Sequence, residues 1–137
     1  MLGDWYVTLL FARPQRLLLF VSESIRLPIV LPARELATMA DRFRVALIEV
    51  LRALDIDGPF IARELGTMDD VIFARTSSRS VLGTINDFSF QVQWILHDHP
   101  TLTLHALSLE LADTPIGPLD DYPAQATRRL LMETPIA

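Results

Sequence analysis

The sequence contains no cysteine and no lysine, and each absence removes a class of chemistry. Without cysteine the chain has no disulfides, no thiolate nucleophile and no cysteine-based metal site. Without lysine it has no Schiff-base chemistry, and all 12 basic residues are arginine. Since disulfides are rare in reducing compartments, their absence leads us to expect a cytoplasmic protein.

Long apolar runs and an excess of positive charge are missing as well. Arg13, Pro14 and Arg16 interrupt the first apolar run, and no stretch approaches the ~20 apolar residues of a membrane span. We therefore predict neither a signal peptide nor a membrane segment. The net charge of −5 argues against nucleic-acid binding, which needs a basic surface. With half of its 137 residues apolar, the chain can bury a core, and we predict one domain, 1–137.

The first part of the chain predicts an antiparallel meander of three strands. Residues 5–12 are rich in aromatic and β-branched side chains, and residues 17–22 form a continuous apolar run typical of a central strand covered on both faces. A third strand is predicted at 25–31. Because Pro28 cannot donate a ladder hydrogen bond, this strand is expected at an edge of the sheet or with a bulge.

From Pro32 onward the apolar spacing becomes helical. Apolar residues recur every three or four positions from Leu36 to Leu54, which predicts a long helix. Its outer face is predicted to be a solvated surface, carrying Arg34, Glu35, Asp41, Arg42, Glu49 and Arg52. A short helix capped by Asp57 follows at 59–65.

The second half predicts a strand at 71–75 and a helix that begins near Ser80. Residues 101–112 fit a strand or a helix, and we favour a helix because Pro100 and Thr101 are suited to a helix start. A Pro-rich connector and a short terminal helix are predicted at 113–137. The predicted fold is α+β, with an antiparallel sheet of three to four strands packed against helices in the order β-β-β-α-α-β-α-α.

The helix that begins near Ser80 has an unusual second face. Leu82, Ile85, Phe88, Val92, Ile95 and Leu96 form its predicted core face. The opposite face carries Arg79, Gly83, Asn86, Asp87, Phe90, Trp94 and His97. Gly83 costs roughly 1 kcal/mol relative to alanine in mid-helix, which suggests that another group approaches the backbone there. Either the helix is buried on both sides, with its polar groups satisfied by neighbours, or this face is a binding surface.

The turn before this helix offers a candidate anion site. Ser77, Ser78 and Ser80 can each cap the helix, and free backbone N–H groups at a helix N-terminus attract anions. Arg75 and Arg79 could add charge-assisted contacts to a phosphate or carboxylate. A serine cap with surface arginines is the simpler interpretation, and the glycine-rich loop and lysine of a P-loop are missing. The candidate binding surface comprises Arg75, Ser78, Arg79, Ser80, Asn86, Asp87, Phe90 and Trp94.

Three histidines follow this helix closely and raise the question of a metal. His97, His99 and His105 have no carboxylate-rich set of ligands around them in the sequence, and histidine near a helix C-terminus is favourable for electrostatic reasons alone. We therefore predict no metal site. No cofactor-binding motif is present, and we predict no cofactor and no catalytic residue.

Three blocks of the sequence resemble a known family. These are the Leu-Gly-Asp-Trp-Tyr block at 2–6, the segments 21–23 and 27–33, and the Arg-Ser-Val-Leu-Gly-x-x-Asn-Asp-Phe block at 79–88. The blocks are similar to those of small bacterial proteins known only as a domain of unknown function. The resemblance implies a cytoplasmic α+β domain and supplies no activity, cofactor or catalytic residue. Members of that family carry an extra leading segment before the Gly-Asp-Trp-Tyr block, whereas this sequence begins almost at the block. If that segment is a strand, we expect the sheet here to lack an edge strand, and a bare edge invites pairing with another chain.

Three function classes remain, in decreasing order of support. The first is a non-enzymatic interaction or regulatory module with a protein partner, or a homo-oligomer formed through a sheet edge. The second is a small enzyme or ligand binder for an anion, in which Arg75 and Arg79 hold the anion, Asn86 orients it and Asp87 is a general base. The third, nucleic-acid binding through arginines, is weakest because the chain is acidic.

Overall fold

A computed structural model of the protein describes residues 1–68, 73–74, 79–116 and 121–136. Strands β1 (Trp5–Ala12), β2 (Gln15–Ser22) and β3 (Pro28–Pro32) come first, followed by helices α1 (Met39–Ala53) and α2 (Gly58–Gly66). The short strand β4 (Phe73–Ala74) precedes helices α3 (Arg79–Asp98), α4 (Leu104–Ala112) and α5 (Pro123–Glu133). The predicted α+β class is confirmed, and residues 101–112 contain a helix.

The described strands form one sheet in the order β3-β2-β1-β4. β1 pairs antiparallel with β2 from Trp5↔Ser22 to Ala12↔Gln15, and β2 pairs antiparallel with β3. The predicted meander is therefore confirmed, and β3 lies at an edge as Pro28 requires. β4 pairs parallel with β1, at Trp5↔Phe73 and Tyr6↔Ala74. Of the predicted strand at 71–75, residues 71, 72 and 75 lie outside the described residues.

The central strand β2 separates two hydrophobic cores, because successive side chains of a strand point to opposite faces. Leu18 and Phe20 face a core shared with α1, α2 and α5, where the rings of Phe20 and Trp5 each lie 4.7 Å from the ring of Phe43. Leu17, Leu19 and Val21 face a second core shared with α3 and α4. The sheet is thus covered by helices on both faces, and α3 belongs to the second layer.

Helix α1 starts later than the apolar spacing predicts. Residues Leu36–Thr38 form a short 3-10 helix after Glu35, whose φ of 48° is left-handed, and Leu36 is exposed. Arg42, predicted on a solvated face, instead donates hydrogen bonds to the backbone carbonyl oxygens of Pro32, Arg34 and Glu35. Asp57 occupies the predicted N-cap position of α2, but its side chain makes no capping hydrogen bond.

The β3 edge is closed by helix α4. Ser108 is buried on α4, and its Oγ accepts a hydrogen bond from the backbone N–H of Val30 at 2.9 Å. Pro28 and Pro32 at the two ends of β3 have no N–H to offer. These features are common protections of a sheet edge.

Glu64 on α2 fixes the start of the chain against the first core. It is buried, and its Oε1 accepts a hydrogen bond from the backbone N–H of Leu2 at 3.0 Å. The amino group of Met1 lies 3.2 Å from Oε1 and 3.1 Å from Oε2. One carboxylate therefore satisfies two donors beside the fully buried Leu2 side chain.

Replacing Glu64 with alanine is expected to lower the free energy of unfolding by about 1–3 kcal/mol, because the buried N–H of Leu2 loses its acceptor. Urea denaturation followed by circular dichroism measures this change. Glu49→Ala, at an exposed position of α1, is the matched control and should change stability by less than about 0.5 kcal/mol. Equal stability of the two variants would contradict the role given to Glu64.

Candidate functional site

Helix α3 presents one apolar face to the sheet and leaves the opposite face open. Its buried residues are Val81, Thr84, Ile85, Phe88, Val92 and Leu96, at the spacing of an amphipathic helix. Residues about 180° around the helix from this set are exposed: Arg79, Gly83, Asn86, Asp87, Phe90, Trp94 and His97. We call these seven residues the outer face of α3. The interpretation that the helix is buried on both sides is therefore wrong.

Two aromatic side chains dominate the outer face. Phe90 is 65% exposed and Trp94 is 57% exposed. They lie one helical turn apart, with ring centroids separated by 6.2 Å and ring planes inclined at 64°. This edge-to-face geometry holds the two rings together as one apolar surface that no described helix or strand covers.

Leu82, predicted on the core face, is 46% exposed. At 100° per residue it lies about 100° from Val81 and at the margin of the buried stripe. The stripe centred on Phe88 is narrower than the sequence predicts because the sheet covers one side of the helix only.

The polar residues of the predicted surface are spread along the helix. Arg79, Asn86 and Asp87 are all exposed, and within the described residues no hydrogen bond or ion pair joins Arg79 to Asp87. A Cβ atom added to Gly83 would meet no described heavy atom within 4 Å. The expected close approach of another group to the backbone at Gly83 is therefore wrong for this part of the chain.

At the start of α3, only Ser80 of the three predicted capping serines can be compared with the structure. Ser80 is the second residue of the helix, and its Oγ accepts a hydrogen bond from Nη2 of Arg26 at 2.9 Å. Arg26 thus ties the β2–β3 turn to α3, where we expected Ser80 to cap the helix. The other predicted members of the anion site, Arg75 and Ser78, lie outside the described residues, as does Ser77.

Trp94 also lines a cavity at the end of α3. The cavity has a volume of about 310 Å³ and lies between the end of α3 and α4, lined by Trp94, Ile95, Asp98, His99, Leu102 and Glu110. The histidines at 97, 99 and 105 are exposed. In the described part of the chain, no three His, Asp or Glu side chains come together as metal ligands.

Sequence reasoning missed an apolar edge of the sheet next to α3. Leu9 and Phe11 on β1 are 49% and 56% exposed, and Nε2 of Gln93 on α3 donates a hydrogen bond to the carbonyl oxygen of Phe11 at 2.6 Å. Among the described residues, β4 pairs with Trp5 and Tyr6 only, so β1 from Val7 to Ala12 has no partner on this side. The available signal was the complete absence of charge and proline from β1.

The fold and the outer face define a small α+β protein with an exposed aromatic helix surface and no assembled catalytic group among its described residues. A family model described as a domain of unknown function, DUF6933, matches residues 1–125. The chain belongs to this family, which confirms the resemblance to an uncharacterised family. No curated protein and no solved structure matches the chain. In the described residues, every helix is too short or too polar to cross a membrane.

The two tryptophans allow a direct check of the outer face. Trp5 is 1% exposed, whereas Trp94 is open to solvent. Trp94→Phe is therefore expected to remove most of the fluorescence that acrylamide quenches and to shift the remaining emission to shorter wavelength. Steady-state quenching of the folded protein measures both changes. If the Trp94→Phe variant were quenched as strongly as the unsubstituted protein, the exposed position of Trp94 would be wrong.

Proposed function

We propose that this protein is a non-enzymatic interaction or regulatory module that binds a protein partner through the outer face of α3. The observation that carries the proposal is the exposed ring pair of Phe90 and Trp94, 6.2 Å apart on a helix whose other side is already buried. These rings contribute nothing to either core of the protein, and their exposure is therefore a cost that a partner would offset.

The composition of the outer face suits a protein interface. Aromatic side chains are enriched at the centre of such interfaces, and polar groups surround them. Here Asn86 and Asp87 lie one turn before Phe90, while His97 lies about one turn after Trp94. This arrangement gives an apolar centre with polar groups at both ends, which supports recognition of a folded or helical partner surface.

The alternative function, an anion-binding enzyme or ligand binder, has less support. It requires Arg75, Arg79, Asn86 and Asp87 to converge on one ligand. Arg79 and Asn86 lie seven residues apart, about 10 Å along the helix axis by the rise of 1.5 Å per residue, and both are open to solvent. The absence of cysteine supports a cytoplasmic setting for either function.

Affinity capture with paired variants tests the proposal. The full chain, tagged at its C-terminus, is used as bait in a lysate of the source organism. Phe90→Ser/Trp94→Ser is expected to reduce the recovery of a specific partner by about tenfold or more, because truncating aromatic anchors at an interface costs about 2 kcal/mol or more. The purified partner is then titrated against each bait by calorimetry.

The matched control is Leu36→Ser/Val45→Ser, which removes two comparably exposed apolar side chains on the α1 side of the protein. This control should bind the partner as the unsubstituted chain does. Loss of binding in both variants, or in neither, would contradict the proposed surface. In a parallel titration with inorganic phosphate and citrate, saturable binding that Arg79→Ala abolishes would favour the anion-binding alternative.

A further inference from the structure

We infer that the edge of β1 from Val7 to Ala12, which no described strand covers, pairs with the same edge of a second copy of this chain, giving an antiparallel two-fold dimer with one continuous sheet. The inference goes beyond the proposed function, which uses the outer face of α3. It concerns the stretch from Val7 to Ala12, which β4 leaves uncovered among the described residues.

The backbone of β1 determines what can cover this edge. Gln93 reaches the carbonyl oxygen of Phe11 from the side opposite to β2, so the backbone polar groups of Phe11 point outward at the edge. Residues two apart on a strand direct these groups the same way, and those of Leu9 therefore also point outward. A row of outward N–H and C=O groups is satisfied in full by another extended strand. A carbonyl oxygen accepts two hydrogen bonds, so Gln93 does not exclude one.

The β3 edge and the uncovered part of β1 differ in their protection against pairing with another strand. The β3 edge carries prolines at both ends and a hydrogen bond from Val30 to Ser108. β1 has neither proline nor a charged residue in its eight positions, and its exposed Leu9 and Phe11 are apolar. Charged residues and prolines on an edge prevent strand pairing, and their absence from β1 leaves pairing unopposed.

The sequence of β1 is complementary to itself in one antiparallel register. With Leu10 on the two-fold axis, Leu9 of each copy lies opposite Phe11 of the other, and the outward backbone groups of these residues form the paired hydrogen bonds. Both exposed side chains project from the same face of the sheet, since they are two residues apart. Each copy therefore covers the apolar side chains that the other exposes.

The charges of the chain permit this contact despite a net charge of −5 per copy. β1 itself is uncharged. Arg13 and Arg16 lie at the hairpin tip, and in an antiparallel pair the two tips point in opposite directions, away from the axis. No like charges on β1 therefore meet at the centre of the dimer.

Helix α3 adds area to the strand contact. A stable dimer buries about 800 Å² per partner, more than a short strand pair supplies. A two-fold axis perpendicular to the sheet places α3 of both copies on the same face. The side of α3 that carries Gln93 is the side next to the β1 edge, because Gln93 contacts Phe11 there. The two α3 helices therefore lie on the same side of the strand pair and add area to it, while Trp94 lies about 100° around the helix from Gln93.

Sedimentation velocity of the full chain between about 1 and 100 μM tests the dimer, since weak protein association falls in this range. We expect a mass near twice 15.5 kDa at the upper concentrations. Leu9→Glu/Phe11→Glu places like charges opposite each other and should raise the dissociation constant at least about tenfold. Leu9→Glu/Phe11→Lys places opposite charges in the same register and should dimerise more tightly than the Glu/Glu variant. Because both positions are exposed, the variants should fold, which circular dichroism checks.

Each outcome decides the inference. A monomer at every concentration overturns it, as does a dimer that the Glu/Glu variant leaves unchanged. If Leu9→Glu/Phe11→Lys dimerises as weakly as Leu9→Glu/Phe11→Glu, the proposed register is overturned. Trp94→Ser alone, at a position about 100° around α3 from Gln93, should remain dimeric, so that failure of the partner surface and failure of the β1 edge are measured separately. Leu36→Glu/Val45→Glu is the matched control for added charge and should dimerise normally.

Discussion

The burial of β2 on both faces is the constraint on which the rest of the structure depends. From Leu17 to Ser22 every side chain of this strand is buried, and alternate residues face opposite cores. Such a strand is stable only when both faces of its sheet are covered. The helices α1, α2 and α5 cover one face, while α3 and α4 cover the other. One side of α3 completes this second layer, and its outer face is consequently not required by the core.

The arginines hold this two-layered arrangement at the ends of its elements. Arg63 donates to the carbonyl oxygens of Leu131, Thr134 and Pro135 at the end of α5, and Nε of Arg128 donates to the carbonyl oxygen of Leu54 after α1. Carbonyl groups at a helix C-terminus have no partner within the helix. A guanidinium group has five donors in a fixed plane and can satisfy several carbonyls at once, whereas a lysine provides a point charge. The absence of lysine thus has a structural counterpart in this use of arginine.

The sequence predicted the helices and strands well where a local pattern is unambiguous. It predicted the surroundings of side chains poorly where these depend on contacts between distant parts of the chain. The apolar run of β2 indicated a central strand, and the proline of β3 indicated an edge strand. Both signals follow from burial and hydrogen bonding within the sheet. Arg42 was predicted on a solvated face because helical spacing shows only which residues share a face of the helix. It does not show that the loop before the helix, with the carbonyl groups of Pro32, Arg34 and Glu35, lies against that face. At the candidate site, the periodicity of α3 indicated a second face with Phe90 and Trp94. It could not show that this face is exposed, because exposure depends on which elements the chain brings to it.

The same dependence on distant contacts explains why the sequence did not indicate that the exposed edge lies at β1. The expectation of a bare edge rested on a segment before residue 2, whereas the stretch without a described partner strand on one side is Val7 to Ala12 of β1, beyond the pairs that β4 makes with Trp5 and Tyr6. The elements that lie beside β1 are determined by the rest of the chain, not by the sequence of β1. Gln93 lies between the two surfaces, with its amide on the β1 edge and Trp94 as its neighbour on the outer face. A single helix therefore separates a backbone edge, which is suited to a strand, from an aromatic face, which is suited to a side-chain interface. Because the two surfaces offer different chemistry, occupation of one does not require the other, and a dimer formed through β1 would present two copies of the aromatic face to its partners.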